Sequence, residues 1–230
     1  VSEFPGENCR YFAEMRNLFV DIKAKKYDNV SMECLSMGMS DDFTDAIAEG
    51  STMVRIGTSG ALQPELRIGD FVMAEKGTGF DGILNFYADR DKVCDLEFEK
   101  EFCEHTEWDP TWAAPYTVDA DAELIRRIGR DDMVRGYTIA AVGFYAPQGR
   151  MVRLRLADPN LNEKIESFRY HGRPITNFEM ESACLQGMSK MLGHKAMTVC
   201  CIIAQRRRTE ADTDYKPRVA QLVRTVLDRI

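Results

Sequence analysis

The sequence predicts a single α/β domain spanning residues 1–230, and three observations carry that expectation. Apolar runs of β-like composition alternate with amphipathic segments along the chain. No internal repeat, low-complexity tract or linker interrupts that alternation. A length of 230 residues with 44% hydrophobic content is enough for one sizeable core.

In chain order, the first strand candidate is "VSMECLSMGM" (30–39), followed by a helix over 41–50 built on "DAIAEG". "TMVRIGT" (52–58) and "DFVMAEKG" (70–77) read as strands, and the stretch 80–118, which holds both Trp residues and many acids, as irregular. A helix is expected over 119–130, with Asp119 as its N-cap, and then a strand over 135–146. The next helix, 158–172, takes Asp158 as N-cap and Pro159 at its first position. Strand 174–180 leads into helix 181–193, which Gly193 terminates, and strand 195–204 follows. The last helix, 216–230, carries Val219, Leu222, Val223, Val226 and Leu227 at spacings of three and four, one apolar stripe.

Bulk properties narrow the function. A net charge of −7 with no basic stripe argues against a nucleic-acid surface, but one local Arg pair is enough to bind a small anion. No apolar run approaches a membrane span, and "VSEFPGENCR" has no targeting pattern, so the expected compartment is the cytosol. Seven cysteines without a CxxC fit free thiols. The three His residues stand in neither metal-like nor triad-like spacing.

Four stretches could carry chemistry. In "VRIGTSGALQP" (54–64) a strand ends in Arg55, and Gly57, Thr58, Ser59 and Gly60 are expected to turn and wrap an anion. The structural alternative is a Gly-rich turn with Arg55 paired to a carboxylate. "GFYAPQGRM" (143–151) offers Phe144 to stack on a planar ring, and Gln148 and Arg150 to read an edge of donors and acceptors; the alternative is a polar loop. "NFEMESACLQG" (177–187) puts Glu179 and Glu181 on one face of an extended segment and Met180 on the other. Two such carboxylates could accept bonds from a vicinal diol, or one could serve a helix dipole while the other pairs with an Arg. Acids pointing the same way cannot flank a scissile bond. "IIAQRRRTEAD" (202–212) runs a buried strand out into three Arg, a solvated charge run with room for one turned inward.

Taken in this order, "RIGTSGALQP", "FYAPQGR", "NFEMES" and "CCIIAQR" resemble the nucleoside phosphorylase-I family, its uridine phosphorylase branch in particular, from about residue 52 to the end. The resemblance implies a three-layer α/β/α sandwich around a central mixed β-sheet, with sites at interfaces between twofold-related subunits. It implies phosphate binding by Arg55, Gly57 and Thr58, with Arg10 of "CRYFAE" reaching a neighbour's phosphate. Phe144, Gln148, Arg150 and Arg206 would hold the base; Thr58, Glu179, Met180 and Glu181 would serve the ribose, Glu181 through its hydroxyls. Of these, Arg55, Thr58, Gln148, Arg150 and Glu181 would be catalytic.

The activity implied is conversion of uridine and phosphate to uracil and ribose 1-phosphate, in pyrimidine salvage or catabolism, with no cofactor beyond phosphate as co-substrate. Purine-cleaving relatives carry an acid after the last core strand; here Gln205 and Arg206 stand there, which favours a pyrimidine. The alternatives are a purine nucleoside phosphorylase or nucleosidase, and an inactive relative acting as a structural subunit. A homo-oligomer is expected, a dimer rather than a hexamer. The family's Gly-Asp-Pro-x-Arg phosphate loop has no counterpart, so the chain is expected to start after it. Tyr11 replaces the acid of an interface cation site found in some relatives, so no metal is expected.

Overall fold

The computed structural model describes residues 6, 8–28, 35, 45–46, 49–207 and 210–230. The chain divides into two compact units: Val1–Met53 with Leu192–Lys195, and Val54–Met191 with Ala196–Ile230.

The first unit contains a helix absent from the sequence expectations, α1 (Cys9–Lys25), which buries Phe12. Lys23 and Lys25 in its last turn complement the helix dipole, and Lys26 closes it in the left-handed conformation. Gly6 N donates to the Asp45 carboxylate at 3.0 Å, and Met53 N donates to Lys195 O at 2.9 Å. The strand expected at 30–39 and most of the helix expected at 41–50 lie outside the described residues; Asp45 and Ala46 are helical.

The second unit is built on an eight-stranded mixed sheet with helices. Its strands are β1 (Met53–Ala61), β2 (Phe71–Gly79), β3 (Tyr116–Asp119), β4 (Val134–Ala140), β5 (Arg169–Tyr170), β6 (Arg173–Glu179), β7 (Ala196–Gln205) and β8 (Glu210–Ala211). The order is β3-β2-β4-β6-β1-β7-β8, with β5 beside β6. Pairs β2–β4 and β4–β6 are parallel, while β1–β6 and β2–β7 are antiparallel. Because β2 pairs with β7 as well as β4, strands β2, β4, β6, β1 and β7 close into a ring. Such a ring buries its strands from both sides, and that explains why β7, "AMTVCCIIAQ", reads as an apolar run without alternation.

Among the described residues two large clusters, beside two smaller ones, fill the interior. One joins β4 and β6 to α2 (Leu96–Thr106) and α4 (Leu161–Ser167), with Phe98 packed edge-on against Phe168 at 5.2 Å and Tyr170 at 4.9 Å. The other joins β2 and β7 to α3 (Ala122–Ile128) and α6 (Lys216–Leu227) through Met73, Ile125, Met197 and Leu222. The remaining helix, α5 (Ser182–Met191), follows β6 directly.

Several sequence expectations are corrected here. The stretch 80–118 is not irregular: it contains α2, capped by Asp95 accepting from Phe98 N at 3.0 Å, and β3. Asp119 ends β3 and binds Lys76 Nζ at 2.6 Å, so the cap of α3 is Asp121, which accepts from Leu124 N. Asp158 accepts from Asn160 N at 2.8 Å, three residues before the first helical residue, Leu161, and Asn160 takes the N-cap position, so neither Asp158 nor Pro159 has the expected helical position. The strand expected over 135–146 stops at Ala140. Leu222 and Val226 carry the stripe of α6 inward, but Leu227 is exposed.

Phe98 is fully buried at the centre of the aromatic cluster. Phe98→Ala is expected to cost about 3–5 kcal/mol of stability, measured as a shift in urea unfolding; a loss below about 1 kcal/mol would contradict this packing.

Candidate active site

The end of β6 sets the geometry. Glu179, its side chain 1% exposed, accepts from Glu181 N, Ser182 N and Ser182 Oγ as the chain turns from β6 into α5. Those contacts satisfy the free N–H groups at the start of a helix with a carboxylate, the favourable sign for the dipole. The Glu179 Oε2 that accepts from Glu181 N also accepts from Arg55 Nη1 at 2.8 Å. Arg55 comes from β1, and its Nη2 donates to Glu181, whose side chain is 55% exposed. One guanidinium therefore spans a fixed acid and a movable one.

Burial raises the Glu179 carboxyl above its ordinary range, against the pull of Arg55 and the Ser182 and Glu181 donors. Burial works against the Arg55 charge too, but the neighbouring Cys200 thiol and the two carboxylates outweigh it and hold the group above its usual value. The Cys200 thiol, 3.6 Å from Arg55 Nη1, is pushed up to about 12, first by burial and then by Glu179.

A cavity of about 770 Å³ opens over this junction. Arg55, Thr58, Glu179, Met180 and Glu181 line one part; Phe144, Gln148, Arg150 and Arg206 line another. Gln148 is buried in a single 3-10 turn, Ala146–Gln148, and its Oε1 accepts from Arg150 Nη1 at 2.6 Å and Arg206 Nη1 at 3.2 Å. Arginine only donates, so the amide orientation is fixed and Nε2 remains as the donor. The Arg150 guanidinium covers one face of Phe144, 3.8 Å from the ring centroid. Among the described residues, neither Arg150 nor Arg206 has a carboxylate ion-pair partner. Burial lowers the Arg150 value, and burial together with Arg150 pushes Arg206 down to about 10.

The structure thus brings Arg55, Thr58, Phe144, Gln148, Arg150, Glu179, Met180, Glu181 and Arg206 to one cavity. Gly57 stands apart from that wall. A Cβ there would lie 2.8 Å from Arg55 Nη2, so its missing side chain makes room for the guanidinium. The Gly-rich turn expected at 57–60 is instead strand: β1 runs through to Ala61, with Gly60 opposite Phe178. Arg10 belongs to α1 in the first unit, its guanidinium 4.5 Å from the Tyr11 ring centroid.

Sequence reasoning missed several cavity residues, among them Asn162, Glu166, Arg207, Glu210 and Asp212. Asp212 and Glu210 arrive because β8 folds back on β7, with Asp212 N donating to Ile203 O at 2.8 Å. The string "RRRTEAD" held that signal only as a possible hairpin. Among the described residues, no group of His, Cys, Asp or Glu is arranged to hold a metal ion, and no helix is long and apolar enough to cross a membrane.

Glu179 and Glu181 should separate in stability measurements. Glu179→Ala strips a buried partner from Arg55 and from the α5 N-terminus and is expected to cost about 3–5 kcal/mol. Glu181→Ala breaks an exposed pair and is expected to cost less than about 1 kcal/mol. Urea unfolding of both variants checks the order, and equal losses would contradict it.

Comparison with known proteins gives the family. Residues 43–230 match the phosphorylase superfamily. A uridine phosphorylase of Thermococcus kodakarensis is 27% identical over 199 residues, which cover 80% of this chain and 62% of that protein. A shorter stretch of 54 residues, 24% of the chain, is 44% identical to a pyridoxal phosphate homeostasis protein of Synechocystis, covering 24% of it. In fold, the chain is similar to a Trypanosoma brucei nucleoside phosphorylase described as showing uridine phosphorylase activity, with a TM-score of 0.68 at 22% identity, covering 77% of this chain and 62% of that one. The chain belongs to the phosphorylase superfamily, that of the nucleoside and uridine phosphorylases.

Proposed function

We propose that the protein catalyses phosphorolysis of uridine to uracil and ribose 1-phosphate. The observation that carries this reading is the pair of arginines, Arg150 and Arg206, gathered on Gln148 with no carboxylate ion-pair partner among the described residues. As the C1′–N1 bond breaks, its electron pair leaves with the base and spreads negative charge over the uracil carbonyl oxygens. Two unneutralised guanidinium groups and the Gln148 Nε2 donor are suited to that charge.

Phosphate would sit with Arg55 and Thr58, and Glu181 would leave Arg55 Nη2 for the ribose hydroxyls; its exposed carboxylate has the freedom to turn. A phosphate oxygen then bonds to C1′ on the face opposite the base, through an oxocarbenium-like transition state. A phosphate proton is free to pass to the departing base. Phe144 and Met180 supply apolar walls. The same reading has a homodimer in the cytosol, with Arg10 reaching a neighbour's phosphate, no cofactor, and helices layered on both sides of the sheet. It extends to an activity of the whole relative, of which this chain spans 62%.

One observation favours a second reading. Asp212 lines the cavity, and an acid near the base could serve N7 of a purine.

The decisive assay is base release from uridine and from inosine, each with and without phosphate. Phosphate-dependent uracil release is expected. Equal release without phosphate would mean a nucleosidase, faster inosine cleavage would mean the purine reading, and no turnover would leave the structural-subunit alternative. Glu181→Ala should lower kcat/KM for uridine by roughly 10²–10³. Arg206→Gln should lower it by about 10², because it removes one of the two guanidinium groups held on Gln148.

A further inference from the structure

We propose that Asn162 is a positioning residue for base recognition, holding Gln148 where the two arginines grip it; this rests on the nucleoside-cleaving reading above. Asn162 lies in the first turn of α4 and lines the cavity. Its Nδ2 donates to Gln148 O at 3.0 Å, the same carbonyl to which Arg206 Nη2 donates. Gln148 O can only accept, so the orientation of the Asn162 amide is fixed by chemistry. The turn is shaped to receive it. Gly149 has φ of +70°, and a Cβ there would lie 2.1 Å from Asn162 Nδ2, so no other residue fits without displacing that amide.

Glu166 stands one helical turn further on, on the same face of α4. Its carboxylate pairs with Arg207, and its backbone carbonyl accepts from Gln63 Nε2 at 3.2 Å. One short helix thereby tethers both segments that carry the base-end arginines, the loop of Arg150 through Asn162 and the strand end of Arg206 through Glu166. The grip is sensitive to small shifts. Arg150 Nη1 and Arg206 Nη1 both converge on Gln148 Oε1, so a displacement of the Gln148 backbone by about 1 Å would loosen both contacts.

Asn162 Oδ1 is buried with no hydrogen-bond partner among the described residues. Leaving it so lowers stability, whereas an apolar side chain of similar size would not. That places the use of Asn162 in its donor, and so in the placement of Gln148, rather than in the strength of the fold.

The experiment measures KM for uridine, KM for phosphate, kcat, Tm and equilibrium binding of uracil in the wild type, Asn162→Ala, Asn162→Asp and Asn162→Gln. Expected for Asn162→Ala and Asn162→Asp is a rise of about tenfold in uridine KM, the equivalent of one lost hydrogen bond. Uracil binding should weaken in parallel, with phosphate KM unchanged in both and Tm unchanged in Asn162→Ala. Asn162→Gln, which keeps an amide donor on a longer arm, should recover part of the loss. An active wild type with unchanged uridine KM and uracil affinity in Asn162→Ala overturns this inference alone. Equal rises in both KM values, or a fall in Tm that accounts for the loss, assigns Asn162 to the fold and also overturns it. A wild type that neither binds uracil nor cleaves uridine overturns the functional reading together with it.

Discussion

The contact between Glu179 and Arg55 ties fold to site. A carboxylate taken out of water at the end of β6 is tolerated because it receives a guanidinium, two backbone N–H groups and a hydroxyl. Those partners come from two places in the chain, β1 and the first residues of α5. Holding them together fixes where β6 becomes helix, and therefore the direction in which Met180 and Glu181 project. It also anchors one nitrogen of Arg55 and leaves the other to an acid at the surface. The remaining geometry of this end of the cavity follows from that single buried charge.

Electrostatically the cavity is divided. At the Arg55 end one cation faces two acids, so the guanidinium is already neutralised there before any ligand arrives. At the Gln148 end two cations share one amide oxygen, and burial depresses both. Two guanidinium groups held by an amide at one end and an adjustable ion pair at the other differ in what they favour. The first suits a group that gains negative charge during reaction. The second suits a ligand that can take over one half of an existing pair.

Much of this was legible in sequence. Strands such as β7 declared themselves by unbroken apolar runs, and the motifs around Arg55, Phe144–Arg150 and Glu179–Glu181 do converge. What failed did so for local reasons. In "LEFEKEFCEHT" the buried face of α2 pairs Phe98 and Phe102 with the polar Glu99 and Thr106, so composition hid the helix. The glycines after Arg55 read as a turn, but neighbouring strands supply partners and the tertiary context overrides local preference. Asp119 looked like a cap until Lys76, 43 residues earlier, claimed it. Asn162 was beyond reach of any motif, since its role depends on a carbonyl 14 residues away brought close only by folding.

The closure of the sheet through β2 and β7 has a consequence for how the protein behaves in a crowded solution. A sheet that ends in long open strands invites another chain to add to it, and this one folds its central strands into a ring instead. The path ends at β3, four residues long, and at β8, two residues long. Neither offers more than a few unpaired backbone groups. Edge-to-edge addition of a second chain, the first step toward fibrillar aggregation, has little template on this unit.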